Sequence, residues 1–169
     1  MRSRVLMILF ATAVLGMLGY WGWHWWCSAD LRKIGSQIQL IAELGGKKAP
    51  LSALELAGKT RMLDRLVLDH LEVDGDIPMF SGKMDRQEVK DLLMVYFRMV
   101  NTASYSWGDV KLTVLPNGKS AFAEGIITVN AMPEGGREMI LDSRKVRLSF
   151  KKHQKSWYLE KVELRSAEY

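Results

Sequence analysis

Hydrophobic and polar residues alternate through the segment from Asp109 to Leu164, with the period of two that is typical of β-strands having one buried and one solvated face. Asn117-Gly118 favours a tight hairpin between two of these strands, and Gly135-Gly136 marks the next turn. The residues expected to face inward are Val110, Leu112, Val114, Ala121, Ala123, Ile127, Val129, Val146, Leu148 and Phe150. We therefore predict a mainly antiparallel sheet that lies mostly within residues 109–165.

The last predicted strand changes phase in its middle. Trp157 and Leu159 fall on one face, whereas Val162 and Leu164 fall on the other. One extra residue near Glu160 would bring all four apolar side chains to the same face, because a β-bulge inserts a residue into one strand and shifts its alternation. The sequence therefore predicts a bulge at this position, which would also bend the sheet.

Three segments ahead of the sheet have the residue spacing of amphipathic helices. Asp30 is a suitable N-cap for the first, and two capping boxes, Ser52 with Glu55 and Asp85 with Glu88, begin the second and third. The predicted helices cover about 31–44, 53–68 and 86–101. A short strand over 71–73 precedes the third helix, and this order of elements predicts an α+β domain.

The first residues of the chain differ in character from the rest. A short basic tail, residues 1–4, is followed by 22 uncharged residues, 5–26, which as a helix would cross a hydrocarbon core of about 30 Å. Aromatic rings crowd the end of this segment, where they suit the level of the lipid headgroups. The residues expected to form the anchor include Val5, Leu9, Leu15, Trp21, Trp23, Trp25 and Trp26. We therefore expect a single transmembrane anchor, followed by one domain over 27–169.

A cleaved signal peptide is the alternative to an anchor. Bulky Trp25 and Trp26 stand where cleavage requires small residues, so the sequence favours an uncleaved anchor in the inner or plasma membrane. A short basic N-terminus usually stays in the cytoplasm. The domain is therefore expected on the extracytoplasmic, periplasmic side, with the lipid bilayer as its first partner.

Composition excludes several classes of function. The formal net charge is +5, which is mild, and the aromatic interleaving of single-strand binders is missing, so we expect no nucleic-acid partner. Cys27 is the single cysteine, which rules out an internal disulfide and a thiolate cluster. The three histidines are far apart in sequence and no phosphate-binding glycine loop occurs. We expect neither a metal site nor a cofactor.

Three short stretches together resemble the nuclear transport factor 2-like superfamily, which includes SnoaL-like and ketosteroid-isomerase-like proteins. They are the run from Leu66 to Gly75, Ser81-Gly82 before the third helix, and the closing Trp157-Tyr158-Leu159. The resemblance spans about 30–168 and implies a cystatin-like cone of three helices packed on a curved sheet. The superfamily includes isomerases, dehydratases, small-molecule carriers, adaptor dimers and membrane-anchored secretion-assembly components, so the fold does not choose among these functions.

The resemblance also suggests candidate catalytic residues. Enzymes of this superfamily use a carboxylate base near the turn after the short strand and a tyrosine or a protonated acid as oxyanion donor. These roles would fall to Asp74 or Asp76 and to Tyr96. The competing interpretation is that both aspartates are turn residues beside Gly75 and that Tyr96 belongs to the core. The first helix has no tyrosine, and the sequence therefore favours a protein without catalytic activity.

A group of basic residues in the third long strand is the candidate binding surface. Lys145, Arg147, Lys151 and Lys152 are expected on the outer face of the sheet, where they would meet an acidic partner or anionic headgroups; a solvated face is the alternative. We expect a membrane-anchored binding or assembly module that docks to a membrane protein or to a second copy of itself as a homodimer. The alternative is a pocket for an apolar small molecule or lipid between the third helix and the sheet, with or without isomerase-like or dehydratase-like turnover.

Overall fold

A computed structural model of the chain describes residues 29–48, 50–75 and 81–166. The predicted anchor and the candidate residue Asp76 lie outside these ranges. Within them no helix is both long and apolar enough to cross a membrane. The elements are α1 (29–45), α2 (Ala53–Leu66), β1 (His70–Gly75), β2 (Gly82–Asp85), α3 (Arg86–Met99), β3 (Val100–Val114), β4 (Ser120–Pro133), β5 (Ile140–His153) and β6 (Ser156–Ser166).

Helices α2 and α3 begin as their sequences predict. The Ser52 side chain accepts a hydrogen bond from the Glu55 backbone, and the Glu55 carboxylate accepts one from the Ser52 backbone. Asp85 and Glu88 make the same reciprocal pair at the start of α3. Both helices end where the next residue, Val67 or Val100, takes up extended backbone.

The six strands form one sheet in the order β2-β1-β6-β5-β4-β3. Neighbouring strands are antiparallel with one exception, since β1 runs parallel to β6 and pairs Glu72–Gly75 with Lys161–Leu164. Three helices and this sheet make the mixed α+β architecture that the sequence predicts.

The bulge predicted in the last strand is present. Ser149 pairs with Lys161 and Phe150 pairs with Leu159, which leaves Glu160 as the extra residue. Trp157, Leu159, Val162 and Leu164 consequently share one face, and all four belong to or pack against the core.

Strand β3 differs from the sequence prediction in two ways. It begins at Val100 rather than near Asp109, because Tyr105 and Trp107 continue the inward alternation upstream. It also has a bulge of its own, since Gly108 pairs with Ile126 and Lys111 pairs with Glu124. Asp109 adopts a positive φ of 51° there. Val110, expected to face inward, lies in this bulge and is 39% exposed.

The core lies between the helices and one face of the sheet, which we call the inner face; the opposite face is the outer face. Leu148 and Phe150 of β5 are almost fully buried on the inner face, as are Trp157 of β6 and Ile34 of α1. One buried cluster joins these residues with Leu63 and Leu66 of α2, and others. Burial of this apolar surface is the main term that stabilises the domain.

Candidate functional site

Residues paired across β3, β4 and β5 lie in rows on the inner face, and the rows change character along the strands. At one end, Val114, Ala121 and Phe150 form an apolar row inside the core. The three rows at the other end are more exposed. We call them the open end: Trp107, Ile127 and Arg144, then Tyr105, Val129 and Asp142, then Ala103, Ala131 and Ile140.

The open end has an apolar rim. Ile140 is 55% exposed although it lies on the inner face, and the neighbouring Met139 and Met99 are 57% and 61% exposed. The backbone amide of Glu134 donates to the Met99 carbonyl at 2.8 Å, which holds the β4–β5 turn beside the end of α3. Exposed apolar residues that lie together on a protein surface are typical of an interaction site.

Two phenols lie side by side where α1 and α3 end above the sheet. The Tyr105 hydroxyl donates to the Tyr96 hydroxyl at 2.9 Å, and the Tyr96 hydroxyl donates to the Gly45 carbonyl at 3.1 Å. Burial raises the pKa of Tyr96 far above its ordinary value. Burial also raises the pKa of Tyr105, against a smaller opposing effect of its hydrogen bond to Tyr96. Both phenols are therefore neutral donors, engaged with each other and with the backbone.

Two lysines hold the helix ends in place around the phenols. Lys47, which is buried, donates from Nζ to the Phe97 carbonyl at 2.7 Å. Lys59 donates from Nζ to the carbonyls of Glu43 and Gly46 at 2.6 and 2.7 Å, and burial lowers its pKa. Because the last carbonyls of a helix lack partners within it, these ammonium groups act as caps of α3 and α1.

Two buried polar atoms lack a hydrogen-bond partner among the described residues: Nε1 of Trp107, which lies at the open end, and Oε1 of Gln37, which lies on α1. A buried polar group left unpaired costs about 1–3 kcal/mol. The Arg144 side chain lies in the same row as Trp107, and its Nε donates to Asp142 Oδ2 at 2.8 Å. The open end thus combines an unsatisfied indole N–H, an ion pair and an apolar rim.

The open end has few groups that carry chemistry. Its carboxylate, Asp142, is paired with the Arg144 guanidinium, its phenol, Tyr105, is neutral, and none of its nine residues is a histidine or a cysteine. Within the described ranges no group of three or more histidine, cysteine or acidic side chains is arranged to hold a metal ion. The arrangement suits a ligand that has an apolar body and one hydrogen-bond acceptor.

The structure separates the predicted catalytic residues. Asp74 lies on the outer face with its side chain 69% exposed. Its Oδ2 is 3.8 Å from Lys161 Nζ, which lies closer to Glu72 and Glu163. Tyr96 lies on the other side of the sheet, in the phenol pair. Asp74 and Tyr96 therefore do not form a common site.

The four predicted basic residues divide between two environments. Lys145, Arg147 and Lys151 alternate with the buried Val146, Leu148 and Phe150 and so occupy the outer face. Arg147 lies 3.6 Å from Glu124 and stacks on the Phe122 ring, with 4.6 Å from its guanidinium carbon to the ring centroid. A groove of about 410 Å³ beside it is lined by residues of both signs, including Lys111, Glu124, Lys145, Glu163 and Arg165.

Lys152 does not belong to that outer surface, so the prediction that it lies there is wrong. Its Nζ lies 2.7 Å from Asp30 Oδ2, its side chain is only 13% exposed, and it faces the ring of Trp157. Residue 152 has the same parity as the inward residues 146, 148 and 150. The same parity places Asp142 and Arg144 on the inner face. The alternation of β5 in the sequence therefore predicts both the inward position of Lys152 and that of the Asp142–Arg144 pair.

Comparison with known proteins identifies the fold. The structure is similar to a putative scytalone dehydratase from Novosphingobium aromaticivorans, with a TM-score of 0.64, 13% identity, and coverage of 85% of this chain and 87% of that one. It is similar to the hexachlorocyclohexane dehydrochlorinase LinA-type3 from Novosphingobium barchaimii, with a TM-score of 0.66, 12% identity, and coverage of 85% and 90%.

A nuclear transport factor 2-like superfamily protein from Salmonella enterica gives a TM-score of 0.65, 10% identity, and coverage of 85% and 94%. No family model and no curated protein sequence matches the chain. Identities this low establish the fold and leave the activity open. The described domain has the nuclear transport factor 2-like fold.

Proposed function

We propose that this chain is a membrane-anchored binding protein without catalytic activity, and that it holds a small amphiphilic ligand at the open end. The unpaired Nε1 of Trp107 is the observation that carries the proposal. It lies on the same face of the sheet as the exposed apolar residue Ile140, two rows further from the rim. A ligand that accepts a hydrogen bond from this indole would satisfy the buried donor. Its apolar body would cover the rim and remove that surface from water.

The absence of an activated group at the open end supports binding over turnover. A general base must reach a substrate proton, but the Asp142 carboxylate at the open end already accepts a hydrogen bond from Arg144 Nε. Two of the structural neighbours are named as a dehydratase and a dehydrochlorinase, which supports a small-molecule pocket within this fold.

The uncharged segment 5–26 is the basis for the proposed anchor, with the domain on the extracytoplasmic side.

Native mass spectrometry of the full chain in mild detergent tests the ligand. We expect an extra mass that disappears on denaturation, or, where the purified chain is empty, one bound molecule of added lauric acid. Trp107→Phe and Ile140→Glu are expected to reduce the bound fraction several-fold. Val110→Glu is the matched control, because Val110 is a partly exposed apolar residue in the β3 bulge. Equal occupancy in all variants, or no bound mass under either condition, would contradict the proposal.

Self-association through the outer face is the second candidate function. At the end of this face near the β4–β5 turn the side chains are uncharged, and Leu141 is 71% exposed. The surrounding outward residues are Ser104, Ser106, Thr128, Asn130 and Ser143. Interface cores are depleted in charge, so this part of the face fits a second copy of the chain.

The mass of the particle in detergent tests this second function. A dimer that Leu141→Glu converts to a monomer, with Lys145→Glu on the charged part of the face as control, would support it. A monomer at all concentrations would exclude the homodimer. Crosslinking in membranes then decides whether another protein occupies the face, and recovery of nothing above an anchor-only control would rule this out.

A further inference from the structure

Three segments that are distant in sequence meet at the end of the domain where α1 begins. Lys152, near the β5–β6 turn, forms an ion pair with Asp30 of α1, and its backbone amide donates to the Lys119 carbonyl of the β3–β4 turn at 2.8 Å. Lys33 Nζ donates to the Lys155 carbonyl at 3.4 Å. The start of α1 and two hairpin turns therefore form one continuous surface.

This surface carries an excess of positive charge. We call it the basic end and define it by the exposed residues Arg32, Lys33, Lys119, His153 and Lys155. No salt bridge between described residues involves any of them. The groove on the outer face is different, because basic and acidic residues are mixed there.

Two acidic residues near the basic end are paired with lysines that lie outside it. Asp30 is paired with Lys152 and Glu160 with Lys151. Asp69 lines a cavity of about 230 Å³ together with His153 and Lys151, at the side of this surface. Leu115, in the β3–β4 turn, adds a partly exposed apolar residue, 38% exposed. Bases surrounding an apolar residue are the composition of surfaces that adsorb to lipid headgroups.

The basic end begins a few residues after the uncharged segment of the chain. The uncharged segment ends at Trp26, and α1 is described from residue 29 onward. A residue spans at most about 3.6 Å, so the first residue of α1 lies within roughly 11 Å of the end of that segment, and Arg32 and Lys33 follow in the first turns of the helix. Attraction to an anionic leaflet falls off within a Debye length, about 8 Å at physiological ionic strength.

We infer that the basic end docks on anionic lipid headgroups. This docking orients the domain so that its open end is directed away from the bilayer. The inference rests on the anchor in the proposed function and is independent of the ligand. Asp30 and the two turns lie at one end of the strands, and Tyr105, Met99 and the β4–β5 turn lie at the other. Docking would therefore leave the apolar rim accessible to a ligand delivered from solution.

Amine labelling of the full chain in lipid nanodiscs tests the docking within a single molecule. The chain is placed in phosphatidylcholine alone or in an equal mixture with phosphatidylglycerol, and acetylation by an N-hydroxysuccinimide ester is followed by mass spectrometry. We expect labelling of Lys33, Lys119 and Lys155 to slow several-fold in the anionic discs and to recover at high salt. Lys111 and Lys145, which are exposed on the outer face, are internal controls and keep their rates.

The remaining outcomes are also decisive. Equal rates in both lipids, or the same slowing at all five lysines, would overturn the inference. Protection of the three lysines by inorganic phosphate in the neutral discs would assign the surface to a free anion instead. A chain that fails to stay with the discs would disprove the anchor. Sedimentation with vesicles of the same two lipids would then test the docking. Docking requires that the chain sediments with the anionic vesicles and that the triple variant Lys33→Gln, Lys119→Gln, Lys155→Gln does not.

Discussion

Lys152 and Asp30 form a buried ion pair that joins α1 to the last hairpin. The Lys152 Nζ lies 2.7 Å from Asp30 Oδ2, and the two side chains are 13% and 3% exposed. Trp157 adds a third contact, since its Nε1 donates to Asp30 Oδ1 at 3.1 Å. The pair links a residue near the start of the domain's sequence to one near its finish.

We predict that Asp30→Asn lowers the free energy of unfolding by about 3–5 kcal/mol, because it leaves the Lys152 ammonium buried without its counter-charge. Chemical denaturation measures the change. The double variant Asp30→Asn with Lys152→Met should recover much of the loss, since no uncompensated charge remains. Asp74→Asn, at an exposed carboxylate, is the control and should change stability by less than about 0.5 kcal/mol. A similar loss at both aspartates would contradict a special role for the buried pair.

Gly45 is required by the close approach of Tyr105. A Cβ at this position would lie 2.7 Å from Tyr105 Cε2, so Gly45→Ala must displace the ring that forms the phenol pair. We expect a loss of about 1–3 kcal/mol from overpacking. Gly58→Ala is the matched control, because nothing lies within 4 Å of the added atom and alanine should stabilise α2 by about 0.5–1 kcal/mol. Thermal unfolding of both variants gives the comparison, and shifts of the same sign would refute the steric account.

Stability should fall at alkaline pH through Tyr96 and Tyr105. Both phenols have a folded-state pKa above the ordinary value. In the unfolded chain they ionise near a pKa of about 10. Above that pH the unfolded chain releases protons that the folded chain retains, so stability is lost as pH rises toward the folded-state pKa.

The measurement is the free energy of unfolding at about pH 9 and about pH 11, on either side of the ordinary phenol pKa. We expect a smaller decrease for the double variant Tyr96→Phe with Tyr105→Phe than for the wild-type chain. Tyr158→Phe removes a phenol outside this pair and controls for the loss of one tyrosine. An unchanged decrease in the double variant would show that other groups cause it.

The N-cap of α3 should make a measurable contribution to stability. Asp85 Oδ1 accepts from the Glu88 backbone amide at 2.8 Å, and removal of such a cap costs about 0.5–2 kcal/mol. We expect Asp85→Ala to lower the unfolding free energy by about 1 kcal/mol. Asp91→Ala, an exposed position within the same helix that bonds only to Gln87 among the contacts described, should change it by less than about 0.5 kcal/mol. Equal effects would indicate that helix charge, and not the cap, matters.

Features set by neighbouring residues were predictable from sequence. The two capping boxes depend on side chains three residues apart, and the bulge at Glu160 follows from the phase of Trp157 and Leu159 relative to Val162. The α+β class follows from the order of such local patterns. The sequence does not predict the bulge in β3, because Asp109 and Val110 lie within an apparently regular alternation and the extra residue appears only when the pairing with β4 is known.

The open end could be predicted only in part. The parity of β5 places Asp142 and Arg144 on the inner face, and this information was present in the sequence. Contact between Tyr96 and Tyr105 depends on how α3 and the end of α1 pack over β3, which no short-range pattern determines. The unpaired state of the Trp107 indole is likewise a property of the folded surroundings.

The parallel pairing of β1 with β6 has a consequence for folding. The contacts Glu72 with Lys161 and Gly75 with Leu164 join segments separated by most of the domain, and closing such long loops makes folding slow. During synthesis, β1 has no neighbour on that side until the ribosome has released Lys161–Leu164. The domain must therefore complete its sheet after translation of its last strand, and until then β1 exposes an unpaired edge that chaperones or a second nascent chain can bind.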